Sequence, residues 1–426
     1  MLVGSLYNIV DQFFIGRTIG ELGNAATNIA FPLTISCMSI ALLFGIGGAA
    51  AFNIAQGEKR PEYARHFMGT SVSVSVLLGF LLTLVSALFL EPMLMFFGSS
   101  EAILPYAAEY TRITSAGFPL LILTAAGGHL IRADGRPEIS MVCNVSGAVI
   151  NVILDYIFVF VLHKGMSGAA IATVIGQGVS SVLVIWFLSH TKTAGLRLKD
   201  LIPRIYALKR VATLGFAPCT NQLAILVVQI VLNNSLGHYG SLSVYGEDTP
   251  IAIVGIGSKL NMLFMSFIIG MSQSLQPIAS YNYGARKFDR VRESYRKVIS
   301  VGAVMAFVSW VFFMSFPRQI ISIFGANESE LYYEFAVKYF RIYLLCTVVN
   351  FMQPITSNFF TAIGKAKTGG FLALTRQIIF LLPLIVTLPL IFGIDGILMA
   401  GPVADAAAAI VSTVLVTREL KSISKL

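Results

Sequence analysis

Charged residues are scarce in this sequence of 426 residues, of which 12% are Asp, Glu, Lys or Arg and 56% are hydrophobic. A soluble protein of this size needs far more charge to cover its surface, so the composition excludes a soluble globular protein. The mean hydropathy of +0.79 favours an integral membrane protein.

Metal-binding and catalytic motifs are also missing. The four cysteines stand singly inside apolar runs, without a CxxC or Cys/His spacing, so we predict neither a structural metal site nor a disulfide framework. The sequence has no HExxH, no Ser/His/Asp set and no glycine-rich phosphate loop, and it therefore does not resemble a membrane-embedded enzyme.

Long uncharged runs recur between short charged clusters, and each is long enough to cross roughly 30 Å of hydrocarbon. The clearest runs are 22–57, 67–90, 113–131, 165–191, 211–246, 298–317, 342–364 and 377–394. Three similar runs with one or two ionisable residues are 139–162, 250–282 and 395–417. A short apolar opening, 1–19, leads us to expect that the chain begins inside its first helix. The pattern predicts an all-α integral membrane protein with twelve transmembrane helices.

The basic residues indicate orientation. Most Lys and Arg, for example Lys59, Arg286 and Arg290, fall in alternate loops and in the C-terminal tail, whereas Glu247 and Asp248 lie in an opposite loop. The positive-inside rule places the basic loops and the C-terminus in the cytoplasm of a multi-pass plasma (inner) membrane protein. The net charge of +9 is then a topology signal, and we expect no nucleic-acid partner.

The two halves of the sequence resemble each other. Residues 106–113 (YAAEYTRI) match 335–342 (FAVKYFRI), and 57–60 (GEKR) match 284–287 (GARK). Because each half has six predicted helices, the two copies run parallel across the membrane, as in many secondary transporters with a site between the halves. We predict an N-lobe (residues 1–191, helices 1–6), a basic amphipathic linker along the cytoplasmic interface (192–210) and a C-lobe (211–426, helices 7–12). The repeat lies within one chain, and the sequence has no motif like an ion selectivity filter. Both observations argue against a channel.

Polar residues inside the predicted helices identify a candidate site, since a charge in the bilayer costs roughly 2.5–3.5 kcal/mol on insertion scales. Tyr7 and Asp11 are four residues apart and share a face of helix 1. Asn151 and Asp155 have the same spacing on helix 5, and Thr173 lies in the middle of helix 6. These oxygen-bearing side chains can bind a proton or Na⁺, so we predict a cation-coupling site here.

The repeat supports a functional role for the two acids. Leu384 is the repeat equivalent of Asp155, and residues 231–233 (VLN) are the equivalents around Asp11. A structural hydrogen-bond role, which is the alternative, would more often recur in both halves.

Other candidates lie in the second half. Asp405 aligns with Gln177 and is either functional or a packing hydrogen-bond partner, and Lys259 is either its counter-ion or a side chain that reaches the membrane surface. Five adaptable side chains are candidates to line a substrate cleft: Met262, Met265, Gln276, Phe351 and Gln353. The alternative is that they pack in the core or face lipid.

Four segments carry a family resemblance: 6–16 (LYNIVDQFFIG), 132–136 (RADGR), 276–285 (QPIASYNYGA) and 401–405 (GPVAD). Spread through both lobes, they resemble the multidrug and toxic compound extrusion (MATE) transporters, and the details are most similar to the bacterial multidrug pumps.

The resemblance implies a monomeric antiporter in membrane lipid, without a cofactor, in which H⁺ or Na⁺ enters as a small organic cation leaves by alternating access. It also implies that the N-lobe cation site uses Asp11, Asn151, Asp155 and Thr173, with Tyr7 beside them. Some family members carry an acid on helix 7, and this sequence has none there. The alternative is a flippase or exporter of a lipid-linked or polysaccharide precursor, which predicts more basic residues in the cleft than Lys259.

Overall fold

The computed structural model describes residues 2–57, 59–190, 196–284, 286–324, 329–363 and 365–423, and the regular elements in these ranges are helices. The first six membrane segments are α1 (Leu2–Thr18), α2 (Glu21–Gly57), α3 (Pro61–Leu88), α4 (Leu104–Ala116 and Phe118–Ala133), α5 (Pro137–Asp155, continued by the π-helical Tyr156–Val161) and α6 (Gly165–Ser189).

The next six are α7 (Ile205–Ser241), α8 (Asp248–Gly284), α9 (Phe288–Ser315), α10 (Glu330–Ile342, Thr347–Asn350 and Met352–Ala362), α11 (Ala366–Leu374, the π-helical Thr375–Leu381, Leu382–Thr387 and Pro389–Phe392) and α12 (Ile394–Ile423). Shorter helices are Leu90–Phe96, Pro317–Phe324 and the 3₁₀ turn Leu198–Leu201.

Length and hydropathy agree with a membrane fold. Among the described residues, nine helices are long and apolar enough to span a bilayer, and eleven segments qualify when α4 and α10 are each counted as one bent span. With the 17-residue α1, these are the twelve segments that the sequence predicts. The prediction of an all-α membrane protein is confirmed.

The fourth segment of each half, α4 and α10, is bent. The two parts of α4 meet at 56° and those of α10 at 43°. The α4 bend lies at Gly117, just before Pro119, whose ring leaves no amide hydrogen to continue the helix. The repeat that pairs 106–113 with 335–342 pairs Gly117 with Cys346, which lies in the α10 bend. The sequence repeat is therefore also a repeat of helix geometry.

The described chain forms two compact units. The N-terminal unit is Val10–Val227, and the C-terminal unit contains α1 as far as Ile9 and the described residues from Val228 onwards. Each unit has its own apolar core. Phe44, Phe52 and Met68 contribute to the first core, and Phe264 and Phe359 contribute to the second.

The predicted linker is described from residue 196, and residues 192–195 lie outside the described residues. Its 3₁₀ turn packs against the first turns of α3, where the Asp200 carboxylate lies 4.0 Å from Arg65 Nε. A Cβ atom on Gly69 would lie 2.5 Å from the carbonyl carbon of Asp200. Gly69 thus provides the space in which the linker docks on α3.

Candidate ion-coupling site in the N-terminal unit

The α5 part of the site lies where that helix changes from α-helical to π-helical. Asn151 and Asp155 are one turn apart on α5, and both are buried. Asp155 ends the regular α-helix, and the π-helical turn Tyr156–Val161 follows at once. Because π-helical turns occur often at functional sites, this irregularity supports a functional reading of Asp155.

Glycines bring α6 close to this face. A Cβ atom on Gly176 would lie 2.7 Å from the carbonyl oxygen of Gly147 and 2.9 Å from Asn151 Cβ, so the two backbones approach more closely than larger residues allow. Thr173 is one turn earlier on α6, and Asn151 Nδ2 lies 3.4 Å from Thr173 Oγ1. The predicted partners on α5 and α6 are thereby brought together.

Asp11 completes the site from α1. It is buried, and its carboxylate interacts electrostatically with that of Asp155. Asp155 is 0% exposed, and neither of its oxygens has a hydrogen-bond partner among the described residues; the same holds for Asn151 Oδ1. The side chain of Tyr7 lies outside the described residues. The site is therefore a set of buried oxygen acceptors suited to a proton or a small hard cation.

A neighbouring polar cluster was not predicted from the sequence. Gln12 Nε2 donates to Asn24 Oδ1 at 2.5 Å, and Thr27 Oγ1 donates to Gln12 Oε1 at 2.9 Å. All three side chains are buried, and they join α1 to α2 beside Asp11. The available signal was the polar residues of α2 spaced three and four apart, at positions 24, 27 and 28.

The C-terminal unit has a polar centre of a different kind. Arg376 Nε donates to Asp405 Oδ1 at 2.5 Å, and the two side chains are 15% and 4% exposed. The structure thus pairs Asp405 with Arg376, whereas the sequence suggested Lys259, which is buried on α8. Arg376 directly precedes the uncharged run 377–394, a position that is typical of a helix end.

The five residues proposed to line a cleft are in different environments. Met262 is exposed, and Met265 is half-buried against the core of the C-terminal unit. Phe351 belongs to that core, and Gln353 Nε2 donates to a backbone carbonyl of α11 at 2.6 Å. The side chain of Gln276 lies outside the described residues. A role in substrate binding remains a prediction for all five.

Within the described ranges, no group of three or more His, Cys, Asp and Glu side chains is placed to hold a metal ion. A coupling cation at the candidate site would rely on two carboxylates together with neutral oxygens.

Comparison with known proteins gives consistent matches along the whole chain. The MatE family model matches residues 1–157 and 219–387. The multidrug export protein MepA of Staphylococcus haemolyticus (strain JCSC1435) is 24% identical over 421 residues, which are 98% of this chain and 91% of that protein.

Solved structures match as well. The MATE multidrug transporter DinF-BH, solved as a complex with a ligand, is 32% identical with a TM-score of 0.80, over 100% of this chain and 94% of that one. An inward-facing multidrug resistance MATE transporter of the MOP superfamily shares the fold, with a TM-score of 0.86 at 21% identity over 99% of this chain and 95% of that one. These matches, together with the apolar helices of the described ranges, lead to one conclusion: the chain belongs to the MatE family of multi-pass membrane transporters, whose members are not enzymes.

Proposed function

We propose that this chain is an antiporter that exports organic, cationic small molecules while H⁺ or Na⁺ enters through Asp11 and Asp155. The observation that carries the proposal is Asp155, which is fully buried beside a second carboxylate and has no hydrogen-bond partner for either oxygen among the described residues. An acid pair inside a membrane protein is costly unless a cation or a proton neutralises it.

The site also suits an ion that binds and leaves. Asn151 and Thr173 add neutral oxygens, and the change from α-helix to π-helix directly after Asp155 allows the backbone at the site to adjust. A membrane potential of 100 mV supplies about 2.3 kcal/mol for each charge that crosses, which is enough to drive export about fifty-fold against a gradient.

The names of relatives support export as the direction of transport and small organic molecules as the class of substrate. The matched proteins from Staphylococcus are named multidrug export proteins, and DinF-BH is described as a multidrug transporter. For this chain we propose export of small organic molecules by a monomer in membrane lipid. We also propose the orientation that the basic loops indicate, with the C-terminus in the cytoplasm.

The test is efflux of a fluorescent organic cation from vesicles that contain the purified protein, under an imposed proton or Na⁺ gradient. The variants are Asp11→Asn and Asp155→Asn, which keep the side-chain shape and remove the charge. The matched control is Asp289→Asn, because Asp289 is a fully exposed acid at the start of α9.

We expect one of the two gradients to drive efflux in the wild-type protein and in the control, and both site variants to lose the gradient dependence. Gradient-driven efflux that survives in both site variants would reject the site. Transport of an anionic lipid precursor, with no cation efflux in any variant, would favour the flippase.

A further inference from the structure

The C-terminal unit contains a buried ion pair at a place where three helices are irregular. Arg376 lies in the π-helical part of α11, and Asp405 lies on α12 three residues after Pro402, which is inside that helix. Asp405 also interacts electrostatically with Cys346, in the bend of α10. The pair therefore lies where the regular backbone hydrogen-bond pattern of three helices is interrupted.

The repeat relates this place to the N-terminal unit. Asp405 is the repeat equivalent of Gln177, and Cys346 is the equivalent of Gly117. In the N-terminal unit a Cβ atom on Gly117 would lie 2.7 Å from Gln177 Oε1, so the same two positions are neighbours in both units. The N-terminal unit therefore has a neutral amide where the C-terminal unit has an acid with its own counter-ion.

Two tyrosine side chains lie near the acid. Tyr339 and Tyr343 both interact electrostatically with Asp405, and their rings stack with centroids 5.1 Å apart at an angle of 17°. Gly401, one turn before Asp405, makes room for this arrangement, because a Cβ atom there would lie 2.8 Å from Tyr343 Cδ2. A carboxylate with aromatic rings beside it is the environment in which proteins bind organic cations.

Asp405 is also the most deeply buried acid in the described part of the C-terminal unit. Its partner Arg376 is the more exposed of the two side chains, at 15% against 4%. Because the Arg376 guanidinium is hydrogen-bonded to the carboxylate, a cation that binds Asp405 would have to replace it.

We propose that Asp405 is the carboxylate that binds the transported organic cation in the C-terminal unit, and that Arg376 is a built-in counter-ion that this cation displaces. The proposal rests on the proposed function, since it requires a cationic substrate. It separates two tasks: Asp11 and Asp155 hold the coupling ion, and Asp405 holds the substrate. The return of Arg376 to Asp405 would then help to release the substrate.

The test is equilibrium binding of tetraphenylphosphonium, a permanently charged organic cation, to the purified chain in detergent without any ion gradient. The variants are Arg376→Gln, Arg376→Lys and Asp405→Asn. The matched control is Lys338→Gln, which breaks a more exposed ion pair of the same unit, Lys338 with Asp395 at 2.7 Å. The thermal melting of each variant is recorded to verify folding.

Removal of the competing charge should tighten binding in Arg376→Gln by about tenfold or more, since a charge pair at contact distance is worth more than the energy of one decade in affinity. Arg376→Lys should bind about threefold tighter than wild type, because lysine lacks the planar fork that holds a carboxylate. Asp405→Asn should lose binding at least about tenfold. Lys338→Gln should bind like the wild type.

Unchanged or weaker binding in Arg376→Gln, with normal melting, would show that the pair is only structural and would overturn the proposal. If Arg376→Gln does not fold, Arg376→Lys replaces it in the test, and unchanged or weaker binding in Arg376→Lys with normal melting would overturn the proposal. Absence of binding in every protein, including the wild type, would instead count against the cationic substrate of the proposed function. The two failures are therefore distinguishable.

Discussion

Gly176 lets us test whether the close approach of α5 and α6 forms the ion site. A Cβ atom on Gly176 would lie 2.7 Å from the Gly147 carbonyl oxygen and 2.9 Å from Asn151 Cβ, whereas ordinary contacts begin at 3.4 Å. In Gly176→Ala the two helices must therefore separate by about 0.5 Å or more, and forced overpacking of this kind costs roughly 1–3 kcal/mol.

The same separation should break the site. Asn151 Nδ2 and Thr173 Oγ1 are 3.4 Å apart, close to the longest distance at which a hydrogen bond forms. A further opening leaves Asn151 without this contact and moves Thr173 away from the acids. A loss of about 1.4 kcal/mol in coupling-ion binding corresponds to about tenfold in affinity, so we expect at least that reduction in Gly176→Ala.

The assay is gradient-driven efflux as a function of H⁺ or Na⁺ concentration, together with thermal melting in detergent. The matched control is Gly178→Ala on the same helix, where a new Cβ would meet only Leu120 Cδ1, at 3.9 Å. The control should be as stable as the wild type or slightly more stable, since alanine favours a helix over glycine. Equal coupling and equal melting in the two variants would show that the ion site does not depend on the close approach of α5 and α6 at Gly176.

Contacts of Gln12, Asp155 and Tyr245 predict how substitutions there change the melting temperature. Gln12→Leu should lower the melting temperature and weaken ion coupling, because it removes the hydrogen bonds between Gln12 and the side chains of Asn24 and Thr27, each worth about 0.5–1.5 kcal/mol; unchanged melting would contradict this. Asp155→Asn should raise the melting temperature, because the amide carries no charge whose burial is costly; a variant that melts lower than the wild type would contradict it. Burial raises the pKa of Tyr245 to about 12, and its hydrogen bond to Glu334 adds to the shift. A raised folded pKa gives stability that is complete below the unfolded value of about 10 and is lost as the pH rises through 12. Tyr245→Phe should therefore reduce the alkaline loss of melting temperature over that range, and an identical pH profile in both proteins would contradict it.

The sequence predicted the features that depend on hydrophobic length and on spacing along one helix. The uncharged runs predicted the membrane helices, and the repeat paired residues 106–113 with 335–342, which belong to the two segments that the structure shows to be bent. The spacing of Asn151 and Asp155 put them on one face of α5, where the structure buries both.

Contacts between helices that are distant in sequence were harder to predict. Arg376 stands at the end of an uncharged run, and a single sequence cannot show that the π-helical turn brings it to Asp405 on α12. The bonds from Gln12 to α2 depend equally on how helices pack, which hydropathy does not encode. Lys259 lies inside the long run 250–282, which is why the sequence suggested it as a counter-ion of Asp405.

The role of Asp155 as carrier of the coupling ion is tested most directly by measuring the movement of that ion itself. Vesicles containing wild-type protein, the Asp289→Asn control or Asp155→Asn would be loaded with an organic cation, with no initial H⁺ or Na⁺ gradient, and ion entry would be recorded with a pH dye or with radioactive sodium. We expect exit of the organic cation to draw H⁺ or Na⁺ inward in the wild type and in the control, and we expect no such entry in Asp155→Asn. Ion entry at the wild-type rate in Asp155→Asn would show that this carboxylate does not carry the coupling ion.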